Sequence, residues 1–254
     1  MTNDRDPSHQ RQGRGADKGA LQGGRYWVIV PAAGLGTRMR SEVPKQYLPL
    51  GNKTLLEQTL ERLLQLPGLA GLVLALNPQD PYWERLPLSG DARISVVDGG
   101  NERSRSVLNA LNYLTLQAHA DDWALVHDAA RPCITQHAMA SLCRHTARHE
   151  VGGILGVPVG DTLKQVDRAG NIERTRDRRG LWQAQTPQVF RYQLLHQCLA
   201  RALGQGETIT DEASAMELAG YRPKVIEGRN DNIKVTRPED LALAELILRQ
   251  QERS

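Results

Sequence analysis

From Tyr26 onward, short apolar runs alternate with stretches in which apolar residues recur every three or four positions. Tyr26–Pro31 (YWVIVP), Leu72–Leu76, Ile94–Val97, Trp123–His127 (WALVH), Val151–Val157, Leu181–Thr186 and Lys224–Glu227 read as strands. Lys53–Leu66 places Leu55, Leu56, Leu60, Leu63 and Leu64 on one helical face, and Glu102–Leu116 does the same with Val107, Leu108, Leu111 and Leu114. Gln136–His149, Arg191–Leu203, Asp211–Ala219 and Pro238–Arg249 read as further helices. Strands and helices alternating at these lengths predict βαβ units, hence an α/β fold with a mainly parallel sheet flanked by helices.

One segment breaks this rhythm. Asp161–Arg178 (DTLKQVDRAGNIERTRDR) is two short polar stretches around Arg168–Asn171, the pattern of a hairpin that can bury little against its own core. It is either a solvated hairpin or an arm, spanning about residues 158–182, that docks on another subunit. Residues 1–25 carry five Gly and only four apolar side chains. They are expected to form a disordered tail and contain no signal peptide. Residues 26–254 are expected to form a single domain.

Composition narrows the function. Gly68–Leu76, the longest apolar stretch, is too short to span a bilayer, so no membrane partner is expected. Three Cys without a CxxC pair exclude a disulfide framework and suit a reducing cytoplasm. The net charge is +3, and residues 1–25, with five Lys/Arg and three Asp/Glu, hold +2 of it. The remaining +1 is too little for the basic face of a nucleic-acid binder.

The first strand runs into Pro31-Ala32-Ala33-Gly34-Leu35-Gly36-Thr37-Arg38-Met39. Gly34 and Gly36 let backbone amides approach phosphate oxygens at the carboxyl end of a strand, where open α/β sheets bind ligands. A Walker A loop would need Gly-Lys-Ser/Thr. A dinucleotide fingerprint would need a small residue where Met39 stands and an acidic one near Asn77. Arg38 and Lys45 replace those features, and two fixed cations beside a glycine loop suit a triphosphate. His145 and His149 at i,i+4 read as an exposed helix face rather than a zinc site, and Cys133 has no partnered base.

PAAGLGTRM followed by PKQYLPL resembles the signature of the 2-C-methyl-D-erythritol 4-phosphate cytidylyltransferase family. Further blocks agree in order: GGNERSRSV at Gly99–Val107, VHDAARP at Val126–Pro132, PVGDTLK at Pro158–Lys164, QTPQ at Gln185–Gln188, TDEAS at Thr210–Ser214 and NIKVT at Asn232–Thr236. The resemblance implies a Rossmann-like nucleotidyltransferase and transfer of CMP from CTP to methylerythritol phosphate in isoprenoid precursor synthesis. A related polyol phosphate such as ribitol 5-phosphate is the competing acceptor.

By the same resemblance, Arg38 and Lys45 stabilise the transition state, and Arg178 and Lys234 orient the attacking phosphate. Ala32, Ala33, Gly34, Gly36, Gly100, Asn101 and Ser106 would hold the nucleotide, Ser106 by hydrogen bonding the base or its neighbours. Asp128, Arg131, Thr162, Arg178, Thr210 and Lys234 would meet the polyol phosphate. Mg²⁺ would bridge the triphosphate, with Asp128 as its carboxylate and Asp231 as a second candidate. Thr162 and Arg178 would lie on an arm that reaches the neighbouring site of a homodimer. No general base is needed, because a phosphate monoester has a second pKa of about 6 and is already mostly dianionic at neutral pH.

Overall fold

In the computed structural model, residues 24–34 and 43–253 are described. Gly36 and Arg38 lie outside them, as does the expected tail up to residue 23. A seven-stranded sheet forms the centre. Its strands are β1 (Tyr26–Pro31), β4 (Leu69–Leu76), β5 (Ile94–Asp98), β6 (Trp123–Val126), β7 (Gly152–Pro158), β10 (Trp182–Arg191) and β11 (Lys224–Glu227), in the order β11-β7-β10-β6-β1-β4-β5. Every pairing is parallel except those of β10 with β6 and β7.

Side-chain alternation along β1 explains the layers. Tyr26, Val28 and Val30 face one apolar layer, with α1 (Leu55–Leu63) and α3 (Gln136–Thr146). Trp27 and Ile29 face the other, with α2 (Arg103–Tyr113), α4 (Tyr192–Gly204) and α5 (Glu212–Leu218). A strand buried on both faces needs the unbroken YWVIV run, and each such side chain contributes about 1.5–3 kcal/mol by burial. The closing helix α6 (Pro238–Glu252) covers a smaller cluster around Leu50, Cys133 and Val235.

The predicted elements are present, with instructive shifts. Helix α1 starts at Leu55 because Thr54 caps it in a capping box with Glu57, while Lys53–Thr54 (β3) pairs with Pro49–Leu50 (β2). Helix α3 stops at Thr146, so His145 and His149 do not share a helix face. His149 Nδ1 instead accepts the Val151 and Gly152 N–H groups. Strand β10 continues to Arg191 across the cis Thr186–Pro187 bond, with its register interrupted between Ala184 and Gln188. That irregularity accommodates a proline inside a strand.

The polar hairpin is also present. β8 (Leu163–Val166) and β9 (Ile172–Arg176) pair antiparallel as a separate two-stranded sheet. Asp167 Oδ1 accepts the Ala169 and Asn171 N–H groups, and Gly170 takes a φ of +89° to close the turn. Every residue of β9 is exposed, and Val166, Ile172, Leu181 and Trp182 present apolar surface to solvent.

Candidate active site

The carboxyl ends of β1, β4, β5 and β6 converge on one cavity of ≈ 590 Å³. Ala32, Ala33 and Gly34 leave β1 along one wall, and Gly100, Asn101 and Ser106 form another after β5. Asp128, two residues past β6, and Lys234, on the loop before α6, close the inner end. A second cavity of ≈ 260 Å³ adjoins it, lined by Arg131, Thr186, Gln188, Thr210 and Asp211. Arg103, Asp128 and Lys234 line both.

Asp128 organises this shared wall. Its Oδ1 accepts Arg103 Nε at 2.8 Å, and its Oδ2 lies 2.8 Å from Lys234 Nζ. Arg103 turns its other two nitrogens onto Glu212, at 2.7 and 3.0 Å, a bidentate fork on a carboxylate only 1% exposed. Glu212, Arg103, Asp128 and Lys234 thus form a row of alternating charge. Burial alone would raise the Asp128 pKa, but the Arg103 and Lys234 cations hold it below the usual carboxylate range. Burial works against the Arg103 charge, and Glu212 and Asp128 outweigh it.

Behind Asp128 lies a neutral network. Its backbone N–H donates to Thr186 Oγ1 at 3.1 Å. The Thr186 hydroxyl in turn lies 3.1 Å from His127 Nδ1, and its proton satisfies that nitrogen. The ring proton then sits on Nε2, which donates to the Arg131 carbonyl at 3.0 Å. This tautomer is assigned from the network. His127 is fully buried, and burial holds its pKa down to about 4, so it is neutral at physiological pH. It orients the 128–131 turn and serves no acid–base step.

The loop carrying Lys234 is fastened at several points. Arg131 Nη1 donates to the Asn232 carbonyl (2.7 Å), Asn232 Nδ2 to the Thr186 carbonyl (2.8 Å), and Val235 N–H to Ala130 (2.8 Å). Lys45 Nζ donates to the Val235 carbonyl at 3.2 Å. The Lys45–Tyr47 turn is anchored by Gln46, whose Nε2 donates to Ala32 (2.8 Å), and by Tyr47 packed against Tyr82.

Several sequence expectations change here. Asp231 lines neither of these two cavities; its carboxylate faces Arg229 at 2.6–2.8 Å. The Ser106 hydroxyl donates to the Glu102 carbonyl (3.1 Å) and accepts the Gly100 N–H (3.0 Å). It shapes the loop, with its proton on the Glu102 carbonyl and a second lone pair open to a donor. Thr162 and Arg178 sit on the exposed arm, where Arg178 donates to the Gly160 carbonyl, and neither lines either of these two cavities. Arg103, Glu212 and Gln188 lay within recognised blocks without an assigned role. No local pattern in the sequence marks Arg103 and Glu212 as a pair. Gly99 was also missed; a Cβ there would collide with that of Ala33.

A strand-end cavity with small-residue walls, a cationic turn and an adjoining polar cavity across a shared ionic wall defines a nucleotidyltransferase with an acceptor pocket. The sequence model of 2-C-methyl-D-erythritol 4-phosphate cytidylyltransferase matches residues 26–250, and the chain belongs to that family. The enzyme of that name from Pseudomonas savastanoi pv. phaseolicola is 54% identical over 217 residues, covering 85% of this chain and 92% of the relative. The one from Escherichia coli O1:K1 / APEC is 53% identical over 222 residues, covering 87% and 92%. The crystal structure of the Francisella tularensis enzyme superposes with a TM-score of 0.78 at 36% identity, covering 88% of this chain and 99% of that one.

Proposed function

We propose that the protein transfers CMP from CTP to 2-C-methyl-D-erythritol 4-phosphate, releasing pyrophosphate, in isoprenoid precursor synthesis. The observation that carries this reading is the pair of adjoining cavities sharing Arg103, Asp128 and Lys234. One holds a nucleotide and the other an acceptor, with a cation between them. The family's own name specifies methylerythritol phosphate, so ribitol 5-phosphate is not favoured as acceptor.

The acceptor phosphate attacks the α-phosphorus; the new P–O bond forms as the bond to the bridging oxygen of pyrophosphate breaks. The obstacle is repulsion between anions, so catalysis rests on positioning and positive charge. Lys45, with Arg38, stabilises charge on the α-phosphate and the departing pyrophosphate. Lys234 and Arg131 place the acceptor phosphate, and Thr210 meets the polyol. Ala32, Ala33, Gly34, Gly100 and Asn101 hold the nucleotide against backbone.

Mg²⁺ fits this site as an ion carried mainly by the triphosphate. Among the described residues no group of three His, Cys, Asp or Glu could cage a metal, and a hydrated Mg²⁺ needs only one or two carboxylates. Asp128 would hold it, since each of its oxygens keeps a lone pair beyond its bond to Arg103 or Lys234. When bound, Mg²⁺ supplies neutralisation of the triphosphate charge.

The arm reading rests on Thr162 and Arg178 lying on an exposed arm away from the two site cavities described above, and on the apolar surface of Val166, Ile172, Leu181 and Trp182. A homodimer that swaps arms would give both polar residues a site and cover that surface. The cytoplasm suits three free, buried cysteines, and no helix among the described residues is long and apolar enough to cross a membrane.

Pyrophosphate release tests the reading with four nucleoside triphosphates, methylerythritol and ribitol phosphates, and EDTA. Release is expected with CTP, methylerythritol phosphate and Mg²⁺, and EDTA abolishes it. Equal rates with UTP would overturn the base assignment, and faster release with ribitol 5-phosphate the acceptor.

A further inference from the structure

We propose that Glu212 is a positioning residue for phosphate transfer, acting through Arg103 and Asp128 to hold Lys234 at the boundary between the two cavities. The inference rests on the transfer reading above.

Glu212 is 1% exposed and lines neither cavity, so it touches no substrate. Both of its carboxylate oxygens are nonetheless committed to the Arg103 guanidinium, at 2.7 and 3.0 Å. That fork uses one N–H on each terminal nitrogen and fixes the guanidinium plane, so that Nε points at Asp128 Oδ1 at 2.8 Å. Asp128 Oδ2 is then left facing Lys234 at 2.8 Å, with Arg131 Nε farther off at 3.7 Å. Without Glu212, Arg103 would be free to rotate its terminal nitrogens onto Asp128, as Arg prefers bidentate pairing with a carboxylate. Lys234 would then compete for an oxygen with a second guanidinium N–H, and its ammonium would lose its fixed place. Glu212 works by fixing the orientation of the Arg103 guanidinium.

The placement in the chain adds a second reason. Arg103 opens α2, just after the Gly100–Glu102 wall of the nucleotide cavity. Glu212 opens α5, just after Thr210 and Asp211 of the acceptor cavity. The Arg103–Glu212 fork ties the two helix starts together across 109 residues of sequence. Asp211 is fixed from the other side by Gln188 Nε2 at 2.8 Å, so the start of α5 has little freedom.

The test uses the full-length protein in the pyrophosphate-release assay, with CTP affinity measured separately by calorimetry without acceptor. Glu212→Gln keeps the shape and removes the charge that holds the fork. It is expected to lower kcat/KM for methylerythritol phosphate about 10–100-fold, the usual effect of losing a group that orients another. CTP affinity is expected to stay within about threefold, because the nucleotide walls keep their own hydrogen bonds. In an Arg103→Gln background the same substitution is expected to add nothing, because its route is gone.

An unchanged kcat/KM in Glu212→Gln overturns the proposal. So does an equal further loss in the Arg103→Gln background, which would mark a general role in holding α5. If Glu212→Gln does not fold, Glu212→Asp keeps the charge but shortens its reach, and wild-type kinetics in that variant likewise overturn the proposal. An inactive wild-type enzyme with CTP and methylerythritol phosphate removes the transfer reading itself, and this proposal with it.

Discussion

The sheet-end site and the arm place functional groups in opposite ways. At the site, Asp128, 7% exposed, meets two cations at 2.8 Å, and each loop is pinned to another loop. On the arm, hydrogen bonds are local: Lys164 to Thr175, Gln165 to Glu173, and Arg179 to Asp177 two residues away. The site is organised by contacts that cross the whole sequence; the arm is organised only along itself. A group held by one chain can act in that chain. A group held only within an exposed arm is free to meet a second chain.

The largest effect expected from breaking this contrast lies at the site. Lys45→Ala, and Arg38→Ala with it, should each lower kcat by about 10²–10³, on the order of 3–4 kcal/mol of transition-state stabilisation. Steady-state kinetics with near-normal kcat in both would return these residues to the surface charges.

Acid sharpens the contrast next. His127 is held near 4 by burial, against 6.5 when free, so its protonation costs the folded state on the order of 3 kcal/mol. Its folded pKa is depressed. Its contribution is therefore fully present above about pH 6.5 and is lost as pH falls toward about 4. The groups facing it are Thr186 and the Arg131 carbonyl, with the charges of Asp128, Arg131 and Arg103 nearby. Asp128, also depressed, adds a separate loss only below the normal carboxylate range. Urea denaturation from pH 7 to 4.5 should follow the first window, and His127→Gln should flatten it. On the arm, hydrogen bonds from Asn171 and from Arg179 lower Asp167 and Asp177, but both carboxyls lie at the solvent-facing surface of the arm. Solvent screens them, so the acid profile reports the site.

A mixing experiment separates the two regions by subunit. Lys45→Ala and Arg178→Ala, each nearly inactive alone, are refolded together. Random pairing makes about half the dimers mixed, and a shared site leaves one of their two sites intact, so activity should recover to about a quarter of wild type. No recovery, with mixed dimers confirmed by mass, removes the swapped arm and leaves the transferase untouched.

The smallest effect belongs to the arm's surface. Ile172→Ser should change single-chain stability by no more than about 0.5 kcal/mol, because Ile172 is 64% exposed. Under the swapped-arm reading it should shift the dimer equilibrium measured by sedimentation; an unchanged equilibrium would leave that surface without a role.

Most of the βα rhythm was legible, because burial on one or both faces writes a period into the chain. The arm was legible for the converse reason: Asp161–Arg178 lacks the apolar residues to bury. Strand β10 was only half legible, since Pro187 looks like a stop and becomes tolerable only where the register breaks. Asp128 and Lys234 could be placed from their blocks, but the Arg103–Glu212 fork could not. Residues 109 apart leave no mark on local periodicity, and pairing of buried charges is settled by the fold. Asp231, the second candidate carboxylate, pairs with Arg229 two residues away, a contact that local periodicity does not mark.

The fastening of the Asn232–Val235 loop has a consequence for how the chain is made. The nucleotide wall begins at Ala32, and Lys234 follows 202 residues later in the chain. A ribosome releasing the chain in order exposes the glycine loop first and the closing cation last. A chain stopped before residue 234 has Asp128 and Arg103 but not the Lys234 ammonium, nor the Val235 carbonyl that receives Lys45. Catalytic competence therefore waits for the segment carrying Lys234 and Val235, and products truncated before it lack two of the contacts that complete the site.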